Sequence, residues 1–219
     1  MFSRFAIYFV PEGPWGNFGA RWLGWDSRIG QIVSTASEMQ SDLTDRPRKY
    51  GFHATMKPPF HLEPGRSVVD LAATAAAMCA QFDPFELDSL NLAQIGRFFA
   101  LTAPGQQSNL SALAAKAVRE LDHFRAPLTE TELERRRKSR LSGRQDELLV
   151  DWGYPYVLDE FRFHLTLTGP VHAPGPAKEM LDEALAPLFE TPLRVDSLSL
   201  LGEAQDGRFH QIQRFPFGG

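Results

Sequence analysis

A chain that repeats itself once, with its landmarks in register, has few folds open to it. His53 and His164 stand 111 positions apart, and so do the Gly-Arg-Phe triplets that begin at Gly96 and Gly207. The Asp-Ser-Leu triplets at Asp88 and Asp196 are offset by 108, so one three-residue length change lies on each side of them. Each copy runs from a histidine-bearing stretch (GFHATMKPPF, RFHLTLTGP) through a helix-like one (VVDLAATAAAMCAQF, AKEMLDEALAPLF) into two short strand-like pieces. Two copies make a pseudo-two-fold pair and not a solenoid.

The short aromatic and β-branched runs RFAIYFV, GFHATM, FELDSLNL, FFALT, FRFHLTLT, LRVDSLSL and FHQIQRF read as strands. Helices are expected over about 15–25, 68–81, 107–124, 130–140, 143–150 and 176–189. Capping-box spacings at Ser67/Asp70, Thr129/Glu132 and Ser142/Gln145 mark three of their starts. This mixture predicts an α+β fold, mainly antiparallel, with sheets lining a central cleft and helices outside. It is read as one bilobal domain over 1–219, the lobes covering about 1–96 and 97–219. Equivalent strands then face each other across the cleft, His53 opposite His164. Pro58-Pro59 is expected to end the first motif strand.

Residues from about 127 to 152 have no counterpart in the first copy and carry Arg135, Arg136, Arg137, Lys138, Arg140 and Arg144 behind Glu130, Glu132 and Glu134. Two readings stand together: a solvated helix whose charge order suits its dipole, and an inserted lid that brings cations to a phosphate.

The net charge of −4 gives no global attraction to nucleic acid or anionic membrane, so an anionic ligand needs a local basic site. The single cysteine, Cys79, excludes an internal disulfide and a cysteine zinc site, and reads as packing. The N-terminal run reads as a strand and not a signal peptide, no stretch is long enough for a membrane helix, and a cytoplasmic location is expected.

Each copy holds His-x-Thr in an extended stretch: His53-Ala54-Thr55 and His164-Leu165-Thr166. Residues two apart share a strand face, so each imidazole has a hydroxyl beside it. Further alternation puts Lys57 on the His53 face, Arg162 and Thr168 on the His164 face, and Ala54, Leu165 and Leu167 in the core. Such a pair suits attack on a phosphodiester: one neutral histidine takes a proton while the other, protonated, gives one to the leaving oxygen. Threonine hydroxyls and nearby cations would hold the phosphoryl oxygens. Which histidine is the base stays open. One His-x-Thr is weak evidence, but two in register are strong. A site of His53, His61, His164 and His172 lacks an Asp or Glu in either motif strand to complete it, so no metal and no cofactor are expected. Tyr8, Tyr50, Tyr154 and Tyr156 read first as core or rim packing and second as platforms for a sugar or base, Tyr8 being counted with the substrate-binding candidates. Gly51 and Gly169 read as backbone devices beside the motifs.

Paired His-x-Thr strands in a duplicated chain resemble the two-histidine phosphoesterase superfamily, which includes RNA 2′,3′-cyclic phosphodiesterases. RFAIYFVP, RKYGFHATMKPPF, HFRAPLTETELERRR and WGYPYVLDEFRFHLTLTGP resemble a branch linked with phosphonate metabolism, over nearly the whole chain. The resemblance implies a bilobal fold, catalysis by His53 and His164, and phosphate contacts from Thr55 and Thr166. The expected substrate is a small cyclic phosphodiester, such as a ribose 1,2-cyclic phosphate or a nucleoside 2′,3′-cyclic phosphate. An RNA-end phosphodiesterase and a non-catalytic nucleotide- or phosphate-binding module are the alternatives.

Overall fold

The computed structural model describes residues 2–105 and 107–218. Helices and antiparallel sheets mix as the sequence predicts, giving an α+β fold. Strand β1 (Phe5–Phe9) lies inside a four-stranded sheet of order β11-β10-β1-β4, with β4 spanning Ala54–Phe60, β10 Ser197–Glu203 and β11 Phe209–Pro216. Phe5, Ile7 and Phe9 of β1 enter the main core, while Ala6 and Tyr8 turn the other way onto Leu201 and Phe209, as strand alternation requires. A second sheet has the order β6-β7-β8, formed by Asn91–Ile95, Phe98–Thr102 and Leu165–Thr166.

The two copies are interleaved. The strand carrying Thr55 pairs with β1 in the sheet that also holds β10 and β11 of the second copy, and the strand carrying Thr166 pairs with β7 of the first. A boundary near residue 96 is therefore not a boundary between the sheets, since it falls in the turn joining β6 to β7. The pseudo-two-fold is visible where β5 (Phe85–Leu87) pairs with β9 (Leu193–Val195), because Glu86 lies directly opposite Arg194. Those two residues are equivalent under the 108-residue offset of this part of the repeat. Equivalent residues meet in this way only around a local two-fold axis.

Helices α1 (Gly13–Leu23), α3 (Val68–Cys79), α4 (Ser108–Glu120) and α7 (Pro174–Leu185) bury apolar faces in one continuous core with the sheets. Ala54, Leu165 and Leu167 point into it as expected, and Cys79 is fully buried, with burial pushing its thiol up to about 11. One helix escapes the hydrophobic pattern. Helix α2 (Glu38–Arg48) buries only Gln40, Thr44 and Pro47, and Gln40 fastens it by donating to the carbonyls of Arg21 and Trp22 at the end of α1. A helix docked through hydrogen bonds leaves no apolar periodicity to read.

The inserted segment folds as α5 (Glu130–Arg137) and α6 (Gly143–Trp152), each opened by the expected capping box. Arg137 holds Asp146 with two hydrogen bonds of 2.7 and 3.0 Å and ties the pair together. No helix among the described residues is long and apolar enough to cross a membrane.

Candidate active site

Between the two motif strands lies an open cavity of about 650 Å³, lined by His53, Thr55, Thr166 and Thr168 and by residues of α2, α5 and the loops around them. The His53 ring lies stacked on Tyr8, with centroids 3.7 Å apart and planes 21° from parallel. Its Nδ1 is 2.9 Å from the Gly51 carbonyl, and a carbonyl can only accept, so Nδ1 carries the proton. Nε2 is then the acceptor of the neutral ring, 3.2 Å from the Thr55 hydroxyl. Burial lowers the His53 pKa to about 4, partly opposed by the Gly51 hydrogen bond and reinforced by the neighbourhood of His164. His53 is therefore a neutral imidazole near pH 7.

His164 is not among the residues lining the cavity, although Thr166 beside it is, and it shares one element of this geometry. Its Nδ1 donates to the carbonyl two residues upstream, that of Arg162, at 2.8 Å. Its ring packs 6.1 Å from Phe98, which lines the cavity. In both copies the i−2 carbonyl fixes the tautomer and leaves Nε2 for other chemistry.

The four other substrate-binding candidates meet different fates. Lys57 does not share the His53 face. Strand β4 is bulged twice against β1, with Tyr8 opposite Thr55, Ile7 opposite Lys57 and Phe5 opposite Phe60. The bulges turn Lys57 inward, where it is 1% exposed and bonds Asp122 at 2.9 Å. The strand also runs through Pro58 and Pro59 to Phe60, which is possible because β4 is an edge strand and needs no N–H there. Arg162 lies before β8, so strand alternation does not reach it; its exposed guanidinium folds back on the carbonyls of Asp159 and Phe161. Thr168 lines the cavity, yet its hydroxyl is engaged, accepting from the Phe99 N–H at 2.9 Å and donating to the Gly169 carbonyl at 2.8 Å. Tyr8 lines the cavity but is 1% exposed, and it gives a ring face to His53 as the packing reading has it. Tyr50 and Tyr154 line the cavity too, whereas exposed Tyr156 packs edge-on against Tyr154.

The larger surprise is electrostatic. Arg4, Arg46, Lys49, Arg135 and Arg136 all line the cavity, and no Asp or Glu does among the described residues. A chain of net charge −4 has thus gathered a strongly positive cleft. Arg46 and Lys49 come from the unforeseen end of α2, and Arg135 and Arg136 from the inserted α5, where the lid reading of that segment had put cations. No group of three or more His, Cys, Asp or Glu side chains is arranged to hold a metal ion among the described residues.

A family model described as "Protein of unknown function (DUF1045)" matches residues 55–210. The chain belongs to that family. It is 36% identical over 232 residues to a protein of Janthinobacterium sp. (strain Marseille) named "Ribose 1,5-bisphosphate phosphokinase PhnN", covering 99% of this chain and 51% of that one. A protein of the same name from Laribacter hongkongensis (strain HLHK9) is 35% identical over 171 residues, covering 75% of this chain and 40% of that one. The chain thus spans about half the length, or less, of these relatives. Among solved structures, one titled "Crystal structure of phosphoesterase" superposes with a TM-score of 0.53 at 13% identity over the whole of both chains. E. coli LigT complexed with NADP+ gives 0.51 at 12% identity, again over the whole of both chains. The same protein complexed with phosphate also gives 0.51 at 12%, over 100% of this chain and 99% of that one. This member of the family therefore has the fold of these structures.

Within this DUF1045 fold, Gly51 sets the position of His53. Its φ of +73° lies in the left-handed region, and an added Cβ would stand 2.5 Å from the Ser27 hydroxyl oxygen. Gly51→Ala is expected to displace the carbonyl that holds Nδ1 and to lower stability by about 1–2 kcal/mol. Thermal melting and the His53 ring resonances by NMR check this, and an unchanged tautomer would refute the role given to the Gly51 carbonyl.

Proposed function

We propose that this chain is a metal-independent phosphodiesterase that opens a small ribose cyclic phosphate. The observation that carries the reading is the pair of His-x-Thr units in equivalent positions, each histidine oriented by an i−2 carbonyl. Neutral His53, with Nε2 free to accept, serves as general base toward water. The water oxygen attacks phosphorus, one ring P–O bond breaks, and His164 in its protonated form gives a proton to the departing alkoxide. The products are a phosphomonoester and a free hydroxyl, so one water is consumed and the histidines exchange protonation states. Thr55 and Thr166, which line the cavity, donate to the non-bridging oxygens.

The names of the relatives support the choice of sugar. Opening the 1,2-cyclic phosphate of a 5-phosphorylated ribose at the 2-oxygen yields ribose 1,5-bisphosphate, the compound in the printed name of the two phosphokinases. A chain that makes this compound and one that phosphorylates it would act in succession, in line with phosphonate use.

The test is a screen of cyclic phosphodiesters for turnover in the presence of a chelator. Turnover that survives chelation is expected; loss with rescue by zinc or manganese would move the case to a metal-assisted mechanism, and no turnover would leave a binding module. The pH profile of kcat/KM is expected to be bell-shaped, with its acid limb near the His53 value of about 4, well below an ordinary imidazole. An acid limb at 6 or above would remove His53 as the base.

A further inference from the structure

On the inserted helix α5, three consecutive arginines meet different fates. Arg137 is exposed and fully used by Asp146 in α6. Arg135 lines the cavity from an exposed position. Arg136 is half-buried against the cavity wall, its guanidinium 5.1 Å above the Tyr154 ring, and its buried Nε has no hydrogen-bond partner among the described residues. Burial lowers the pKa of Arg136, and repulsion from Arg135 and Arg4 adds to that. Of the five cations lining the cavity only Arg4 is matched by a carboxylate among the described residues, that of Glu203, in a two-pronged pair of 2.6 and 2.7 Å. A desolvated guanidinium without an anion is costly, and folding does not normally retain one without return.

A cyclic phosphodiester carries one negative charge, and the two His-x-Thr units already provide for it. We infer that Arg136, with Arg135, Arg46 and Lys49, forms a second anion subsite that takes a phosphate monoester of the same small substrate. The inference rests on the phosphodiesterase reading for the first phosphate. The Tyr154 face beneath Arg136 keeps the guanidinium flat and oriented, and a planar fork of N–H donors fits two phosphate oxygens at once. The insertion is thus the specificity element of the cleft: it separates doubly charged sugar phosphates from ordinary nucleoside cyclic phosphates.

The experiment compares 5-phosphoribosyl 1,2-cyclic phosphate with adenosine 2′,3′-cyclic phosphate, using wild type, Arg136→Gln and Arg137→Gln. Arg136→Gln is expected to raise KM for the doubly phosphorylated sugar by about 10- to 100-fold, the range for a hydrogen bond to a charged group, with little effect on the nucleoside. Arg137→Gln should leave both unchanged, because its side chain serves Asp146 and not the cavity. Equal losses on both substrates, or equal losses in the two variants, would overturn the subsite and leave a helix-stability effect. An Arg136 effect seen only with an oligonucleotide ending in a 2′,3′-cyclic phosphate would also overturn it, in favour of an RNA backbone. Binding of ribose 5-phosphate to His53→Ala protein, by calorimetry, separates this proposal from the catalytic one. Arg136-dependent binding with no turnover of any cyclic phosphate keeps the subsite and sinks the hydrolase; turnover without such binding does the reverse.

Discussion

On a cyclic phosphate that turns over, His53→Ala and His164→Ala are each expected to lower kcat/KM by at least about 10² to 10⁴, the usual worth of a positioned acid or base. The two losses should not multiply. If His53 takes a proton in the same step in which His164 gives one, removing either leaves the other without its counterpart, and the double variant falls little below the worse single one. Thr55→Val and Thr166→Val should cost less, about 1.5–3 kcal/mol, since each deletes one hydrogen bond to a charged phosphoryl oxygen. Thr55 also donates to His53 Nε2 at 3.2 Å in the unliganded site, so its variant should shift the acid limb as well. Steady-state kinetics on the four single variants and the histidine double variant settle the matter. A His164→Ala protein with full activity and an unaltered pH profile would sink the paired mechanism.

Asp122→Ala should be the most damaging change outside the cleft. Lys57 is fully buried and its ammonium holds Asp122 at 2.9 Å and the Val118 carbonyl at 3.3 Å, while Arg125 grips the same carboxylate with bonds of 2.9 and 3.0 Å. Burial by itself pushes the Asp122 carboxyl up, and Arg125 and Lys57 together outweigh it, holding the group below its usual range. For Lys57 the balance goes the other way: burial lowers it to about 8 in spite of Asp122. Removing the carboxylate strands a buried cation, a change worth about 3–5 kcal/mol for fully buried pairs. Asp122 is partly exposed and Lys57 can shed its proton, so the lower end applies, a fall in Tm of about 6–12 °C for a chain of this size. Lys57→Met should be close to neutral, because it removes the desolvated charge along with its partner's obligation. The sign of the pH effect follows from the same shift. Between about 8 and the ordinary lysine value of 10.5 the unfolded chain binds more protons than the folded one, so wild-type stability from this group should rise across that window and be absent in Lys57→Met. Calorimetric melting of the three proteins from pH 7 to 10.5 checks it, and an Asp122→Ala Tm within 2 °C of wild type would refute the buried-pair account.

The same lysine shows how far residue order alone can carry a site. By itself the sequence determined the duplication, the α+β class, most helices and strands, and the two His-x-Thr units, because these depend on local period and on residues two or three apart. Ala54, Leu165 and Leu167 went into the core for that reason. What lay beyond was decided by contacts distant in sequence. The bulges that turn Lys57 inward arise from the register of β4 against β1, and the prolines survive there because the sheet order leaves β4 at an edge. Arg162 did not keep the role that alternation offers, since it lies before a two-residue strand. Helix α2 is mostly polar and docks through Gln40, so nothing in its pattern announced that Arg46 and Lys49 would reach the cleft. Only the tertiary structure decided that five cations, from the approach to β1, the end of α2 and α5, converge on the cavity of His53, Thr55 and Thr166, since charge convergence is a property of chain crossings and leaves no trace in periodicity or in a net charge of −4.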